Sequence, residues 1–353
     1  MSKFAISLHD VVSDPHWFPT DFDLVSETIS FIRTTREDII AQPFLDTRWK
    51  RDGLQFVKAP FSALLSSVRS FPQPLDLCFI WHTGFCCSTL LADALEKSAR
   101  NLSLCEPKIL VDIADAKRAF AFSHGELARL PDTSFKLLSR SFGSGEAITV
   151  KPAPAANCLL PEAMALPGSK HLVLYSDCRE FILSIAKYGS VRGSYVRNML
   201  RVMIRNQVSP HWDEKRISSL SPLRASALLW HLQIAEIRNH FNSEVAGSLD
   251  CDFLLAEPLK ALSAVTKIFD LKFDNGELAQ IVEGPKFRRN AKSRGEEFGA
   301  DSRLRLHEEV EDERRAEIDE AVAWSYEVFP ATPSNAAPLP NALHVPIDKA
   351  YHP

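Results

Sequence analysis

The sequence predicts an α/β protein built on a largely parallel sheet that is covered on both faces. Two observations predict it. Short apolar runs recur at 77–82, 147–151 and 171–176, and segments with helical periodicity alternate with them. With 353 residues, 45% of them apolar and 24% charged, the chain can bury a full core as one large domain or two.

The elements follow in order. Residues 1–73 carry short helical patterns at 21–34 and 37–42, so they read as a mainly helical extension packed on the core. Phe71-Pro72-Gln73-Pro74 marks a boundary. Strand 77–82 then leads to helix 88–99, and a short strand at 102–105 precedes helices near 108–120 and 124–139. Strand 147–151 precedes a helix near 157–165, and strand 171–176 feeds helix 178–188. Two longer helices, 191–206 and 221–244, precede a last strand at 249–254 and a helix at 257–269. A basic stretch at 285–305 and a charged amphipathic helix at 308–328 close the α/β domain, which spans 74–329. The tail, 330–353, is rich in Pro, Ala and Asn and reads as extended.

Composition excludes several functions. A net charge of −4 gives no reason for bulk nucleic-acid binding. No apolar run approaches the roughly 18–20 residues that span a bilayer. The N-terminus meets an acid, Asp10, too early for a secretory signal, so the expected location is cytoplasmic. Seven scattered cysteines read as small buried residues in a reducing compartment. None of their spacings suits zinc, and no metal is expected.

The chemistry is expected in the turn after the first apolar strand. Gly84, Phe85, Cys86, Cys87, Ser88 and Thr89 join that strand to a helix N-terminus, where backbone N–H groups and the helix dipole favour an anion. Ser88 and Thr89 suit an anion site and equally suit a helix N-cap. The turn lacks the Gly-Lys-Ser/Thr ending of a nucleotide-hydrolysing loop, which makes an ATP- or GTP-dependent kinase the weakest reading. Around the turn, His82 reads as a general base or as a structural histidine. Lys151 ends its strand on the ligand side, and Asn157 follows it as an oxygen-orienting group or a cap. Glu106 reads as a proton acceptor or as a turn carboxylate before Pro107. Arg192, Arg197, Arg201 and Arg205 form a stripe, read first as a solvated face and second as an anion site.

Three blocks resemble the P-loop sulfotransferase superfamily, in particular its divergent bacterial members. They are Phe85-Cys86-Cys87-Ser88-Thr89-Leu90-Leu91, the strand 171–175 leading through Arg179 to Ser184, and the strand and helix from Leu249 to Leu271. The likeness covers about 75–295. It implies a P-loop NTPase-like three-layer sandwich with a mostly parallel central sheet and additional helices. It also implies a donor, 3′-phosphoadenosine 5′-phosphosulfate, and an acceptor hydroxyl or amine on a small molecule, glycan or peptide. By the same resemblance Arg179 and Ser184 hold the 3′ phosphate, helped by Arg288, Arg289 or Lys292 from a basic loop over it. Two residues depart from the pattern: Phe85 stands where the family has a loop cation, and Ser176 where it has an arginine. Lys151 is the candidate replacement for the missing loop charge. The rival reading is a binding protein that keeps the fold without the chemistry.

Overall fold

The computed structural model describes residues 7–69, 71, 75–123, 125–187, 190–209, 211–241, 246–288, 300–329 and 339–343. Strands β1 (Trp17–Asp23), β2 (Thr28–Arg33) and β3 (Phe56–Pro60) form an antiparallel sheet in that order. Strands β4 (Leu77–His82), β5 (Asn101–Cys105), β6 (Ala147–Lys151), β7 (Lys170–Tyr175) and β8 (Ala246–Asp250) form a parallel sheet ordered β5-β6-β4-β7-β8.

Burial explains why β4 lies at the centre, since all six of its residues are buried. Leu77, Phe79 and Trp81 belong to one apolar core and Cys78 and Ile80 to a second. β7 divides the same way, with Val173 and Tyr175 in the first core and Leu172 and Leu174 in the second. The period-2 geometry of a strand puts these sets on opposite faces, so the sheet is covered on both. A buried histidine takes part in this packing. His171 stacks on Phe79 at 5.2 Å and accepts a hydrogen bond from Trp81 Nε1 at 3.1 Å. Burial pushes its pKa down to about 3, so the ring is neutral.

Several elements differ from expectation: the first 73 residues carry a three-stranded sheet that includes the unexpected strand Phe56–Pro60, and the helix read over 88–99 ends at Leu95. Residues 21–34, read as helical, form most of the β1–β2 hairpin. The Asp23 carboxylate accepts the N–H groups of Val25 and Ser26, both at 2.9 Å, and closes the turn. Thr28, Ile29, Phe31 and Ile32 are β-branched or aromatic and favour the pleated surface over a helix. The last strand ends at Asp250, not 254, because the Asp250 carboxylate caps the helix Cys251–Ala256 through Asp252 N at 2.7 Å.

The antiparallel sheet shares the first core with β4. Two arginines tie it down. Arg36 pairs with Glu96 at 2.5 Å and Glu146 at 2.8 Å. Arg140 donates to the backbone carbonyls of Val11, Val12, Asp14 and Trp17.

Candidate functional site

The strand order locates the site. From β4 the chain passes to β5 and back to β6 on one side, then crosses to β7 and β8 on the other. The carboxyl end of β4 is therefore the switch point of the sheet, where ligands of open α/β sheets bind. The expected anion turn lies there.

Its backbone is shaped for an anion. Gly84, Phe85 and Cys87 all have left-handed φ, at 80°, 54° and 60°. Left-handed residues in a turn of this kind can bring backbone N–H groups together as an anion-binding concavity. The helix Ser88–Leu95 follows directly, and Cys87, its N-cap, offers no side-chain cap. Ser88 and Thr89 are each only 5% exposed, and neither hydroxyl has a hydrogen-bond partner among the described residues. By the geometry of an α-helix, the first amides of Ser88–Leu95 have no acceptor inside it.

The turn is braced from below. Gly84 N–H donates to His82 Nδ1 at 3.0 Å, so the ring proton sits on Nε2, which donates to Pro152 O at 3.0 Å. Asn157 Nδ2 donates to His82 O at 3.0 Å, and Cys86 Sγ to Leu174 O at 3.3 Å. Both ring nitrogens of His82 are thus engaged in holding the turn in this arrangement. The Gly84 amide is thereby committed to His82 and not to an anion. Phe85 packs edge-on against Tyr195 at 5.3 Å and Phe181 at 5.6 Å, with the Arg192 guanidinium 4.6 Å above its ring. Its side chain anchors the turn.

A cation reaches the turn from far along the chain. Arg303, 5% exposed, donates to Phe85 O at 3.2 Å and lies 3.5 Å from Cys87 Sγ. It sits on the helix Ala300–Val328, a longer piece than the expected 308–328. Arg303 also pairs with Glu180 at 3.2 Å, and His307 Nδ1 bonds the same carboxylate oxygen at 2.8 Å. Burial alone would raise the Glu180 carboxyl, but the bonds and charges of His307 and Arg303 outweigh it and hold its pKa at about 2.

The second cluster lies at the ends of β5 and β6. Lys151 Nζ, fully buried, pairs with Glu106 Oε1 at 2.7 Å. Arg48 pairs with Glu106 Oε2 at 3.0 Å and with Asp46. Both Glu106 oxygens are thus engaged, and Lys151 faces a carboxylate. Neither the lone replacement cation nor the ready proton acceptor expected from sequence is present in this arrangement. Tyr195 lies beside the turn, its hydroxyl 3.5 Å from where a Cβ on Gly84 would stand. Burial pushes its pKa up, and the charges of Glu106 and Cys86 add to the effect, so the phenol keeps its proton and is a donor.

The expected 3′-phosphate residues do not assemble. Arg179 bonds Glu311 and Asp319, at 2.7 Å each, on the C-terminal helix. Ser184 Oγ bonds His307 Nε2 at 3.1 Å. Ser176 is fully buried, its carbonyl accepting Trp230 Nε1 at 2.8 Å. Lys286 donates to the carbonyls of Asp93 and Glu96, at the far end of the helix that the turn opens. Arg288 is exposed and two residues beyond Lys286. Arg289 and Lys292 lie outside the described residues. In the arginine stripe, Arg197 bonds the carbonyls of Ile217 and Leu220 and Arg201 pairs with Glu214. Only Arg192, bonded to Ser184 O at 2.6 Å, touches the turn.

Sequence reasoning missed Arg303 and Tyr195. Arg303 was visible only as one of several cations in a basic stretch, and nothing in sequence marks Tyr195. Among the described residues no group of His, Cys, Asp and Glu is arranged to hold a metal, and no helix is long and apolar enough to cross a membrane.

No family model matches the chain, and no curated protein matches it. Among solved structures, the sulfotransferase domain from the curacin biosynthetic pathway is similar with a TM-score of 0.40 and 13% identity, over 74% of this chain and 99% of that one. That likeness is too loose to align residues across the two proteins.

Proposed function

We propose that this protein is a sulfotransferase-like enzyme of the P-loop α/β type. It would take a sulfuryl group from 3′-phosphoadenosine 5′-phosphosulfate to a hydroxyl or amine on a small molecule, glycan or peptide. One observation carries the reading: a left-handed turn at the switch point of a parallel sheet opens a helix at Ser88 and Thr89, whose hydroxyls have no partner among the described residues, with a buried arginine against it. The three sequence blocks supply the choice of donor.

The residues fit the donor's phosphosulfate end. Backbone amides of the first helical turn would orient the anion, and the hydroxyls of Ser88 and Thr89 would donate to it. Arg303 supplies fixed positive charge where Phe85 leaves none, and the Tyr195 phenol is a protonated donor beside Gly84. Bound there, the donor would supply the activated sulfuryl group. The chain's own task is positioning and charge stabilisation. The 3′-phosphate end does not fit the expected pair, because Arg179 and Ser184 are already bonded to the C-terminal helix.

A second reading has specific support. Lys151 and Arg179, the two cations that sequence assigned to the chemistry, both sit in ion pairs. That arrangement suits a binding protein that keeps the fold without transfer. Calorimetric titration with 3′-phosphoadenosine 5′-phosphate, then an assay with radiolabelled sulfate donor and a panel of alcohols and amines, separates the two. Binding with transfer supports the enzyme; binding without transfer supports the second reading. Binding of neither the bisphosphate nor ATP refutes both.

A further inference from the structure

Two of the seven cysteines meet at the anion turn. Cys87 is the N-cap of Ser88–Leu95, and Cys251 opens the helix after β8. The topology brings them together. The turn reaches across β7, where Cys86 Sγ bonds Leu174 O, and Leu174 pairs in register with Leu249, two residues before Cys251. There Cys251 and Cys87 both lie against the Arg303 guanidinium, which is 3.5 Å from the Cys87 sulfur, and the two thiols are close enough to influence each other.

The two sulfurs are not equivalent. Cys87 lies at a helix N-terminus with the Arg303 guanidinium 3.5 Å from its sulfur, and both features favour a thiolate. It is partly exposed, so a small oxidant reaches it. Cys251 is fully buried and holds its proton, raised first by its neighbour Cys87 and then by burial. Cys86 and Glu180 are the other ionisable groups against this cluster, and Glu180 is neutralised by Arg303 and His307.

We propose that Cys87 and Cys251 are a peroxide-sensitive dithiol that closes to a disulfide across the anion turn. The Cys87 thiolate attacks one oxygen of hydrogen peroxide. The O–O bond breaks, a sulfenic acid forms, and hydroxide leaves to take the Cys251 proton as water. The Cys251 thiolate then attacks the Cys87 sulfur and expels a second hydroxide. That hydroxide takes up the proton Cys87 lost on ionising. The two sulfurs give up two electrons in all, and the peroxide becomes two waters. The bond would tie the turn to the β8 edge and remove the Cys87 thiolate beside Arg303, leaving Glu180 as its anionic partner. This holds whichever anion the turn binds.

The test is peptide mapping of the full chain by mass spectrometry after treatment with hydrogen peroxide and alkylation. A cross-linked Cys87–Cys251 peptide pair that dithiothreitol releases is the expected result. In Cys251→Ser, Cys87 stops at the sulfenic acid and is trapped by dimedone; in Cys87→Ser no cross-link forms. Arg303→Gln slows iodoacetamide labelling of Cys87 at neutral pH by about tenfold, the effect of roughly one unit in thiol acidity. If Cys87 and Cys251 both remain alkylatable in peroxide-treated wild-type protein, or Cys87 bonds another cysteine instead, the proposal is overturned.

Discussion

Replacing Glu180 by Gln removes the anion that holds Arg303 and His307 beside the turn. The carboxyl is held at about 2 against an ordinary 4.5, so its ionised form is favoured in the folded state. At about 1.4 kcal/mol per unit, that difference contributes about 3 kcal/mol of stability at neutral pH. The sign follows from proton counting. Between pH 4.5 and 2 the unfolded chain binds a proton at Glu180 that the folded chain does not. The contribution is therefore complete above pH 4.5 and disappears as the pH falls toward 2. Urea denaturation of wild type and Glu180→Gln at pH 7 and at pH 2.5 measures it. The gap at pH 7 should be about 3 kcal/mol and should shrink to under about 1 kcal/mol at pH 2.5. A gap below about 1 kcal/mol at pH 7, or one that does not change with pH, would refute the account of this cluster.

Four further outcomes follow from named contacts. Burial raises Glu236 to about 7, only partly offset by its bond to Asn206, so the folded chain keeps a proton there that the unfolded chain loses between pH 4.5 and 7. Stability from Glu236 should fall through that window, and Glu236→Gln should gain up to about 3 kcal/mol at pH 8 and nothing at pH 4, by urea denaturation at both. Lys151→Met alone should cost about 3–5 kcal/mol by leaving Glu106 without its closest cation, and adding Glu106→Gln should recover part of it in a double-mutant cycle. Gly84→Ala should cost about 1–2 kcal/mol in thermal unfolding from its φ of 80° alone, since its Cβ would meet Tyr195 Oη and Pro154 Cγ no closer than 3.5 Å. Tyr195→Phe keeps the ring against Phe85; calorimetry should show weaker binding of the bisphosphate with an unchanged melting temperature.

The parallel core was legible because strands buried on both faces read as continuous apolar runs, as in Leu77–His82 and Ala147–Lys151. The strand-turn-helix unit around Gly84 was legible because a strand, a Gly turn and small hydroxyl residues in that order are local. The hairpin over 21–34 was not, since its strands are set by the turn at Asp23 and by packing against residues such as Phe61. The charged partners were least legible. A sequence shows that Arg179, Lys151 and Arg303 carry charge but not what they meet. Arg179 finds its acids 132 and 140 residues away, and Arg303 reaches Phe85 across 218. Ion pairing over such distances depends on the finished fold, so no local pattern in the sequence marks it.

The central claim is that the turn from Thr83 to Thr89, with Arg303 against it, is an anion site for a sulfated or phosphorylated adenosine. Calorimetric titration of the full chain with 3′-phosphoadenosine 5′-phosphate, with ATP as control and Arg303→Gln beside wild type, tests it most directly. The account predicts one bisphosphate bound per wild-type chain, no comparable binding of ATP, and an affinity at least about tenfold weaker in Arg303→Gln. Equal affinity in the two proteins, or no heat from the bisphosphate in wild type, would contradict it.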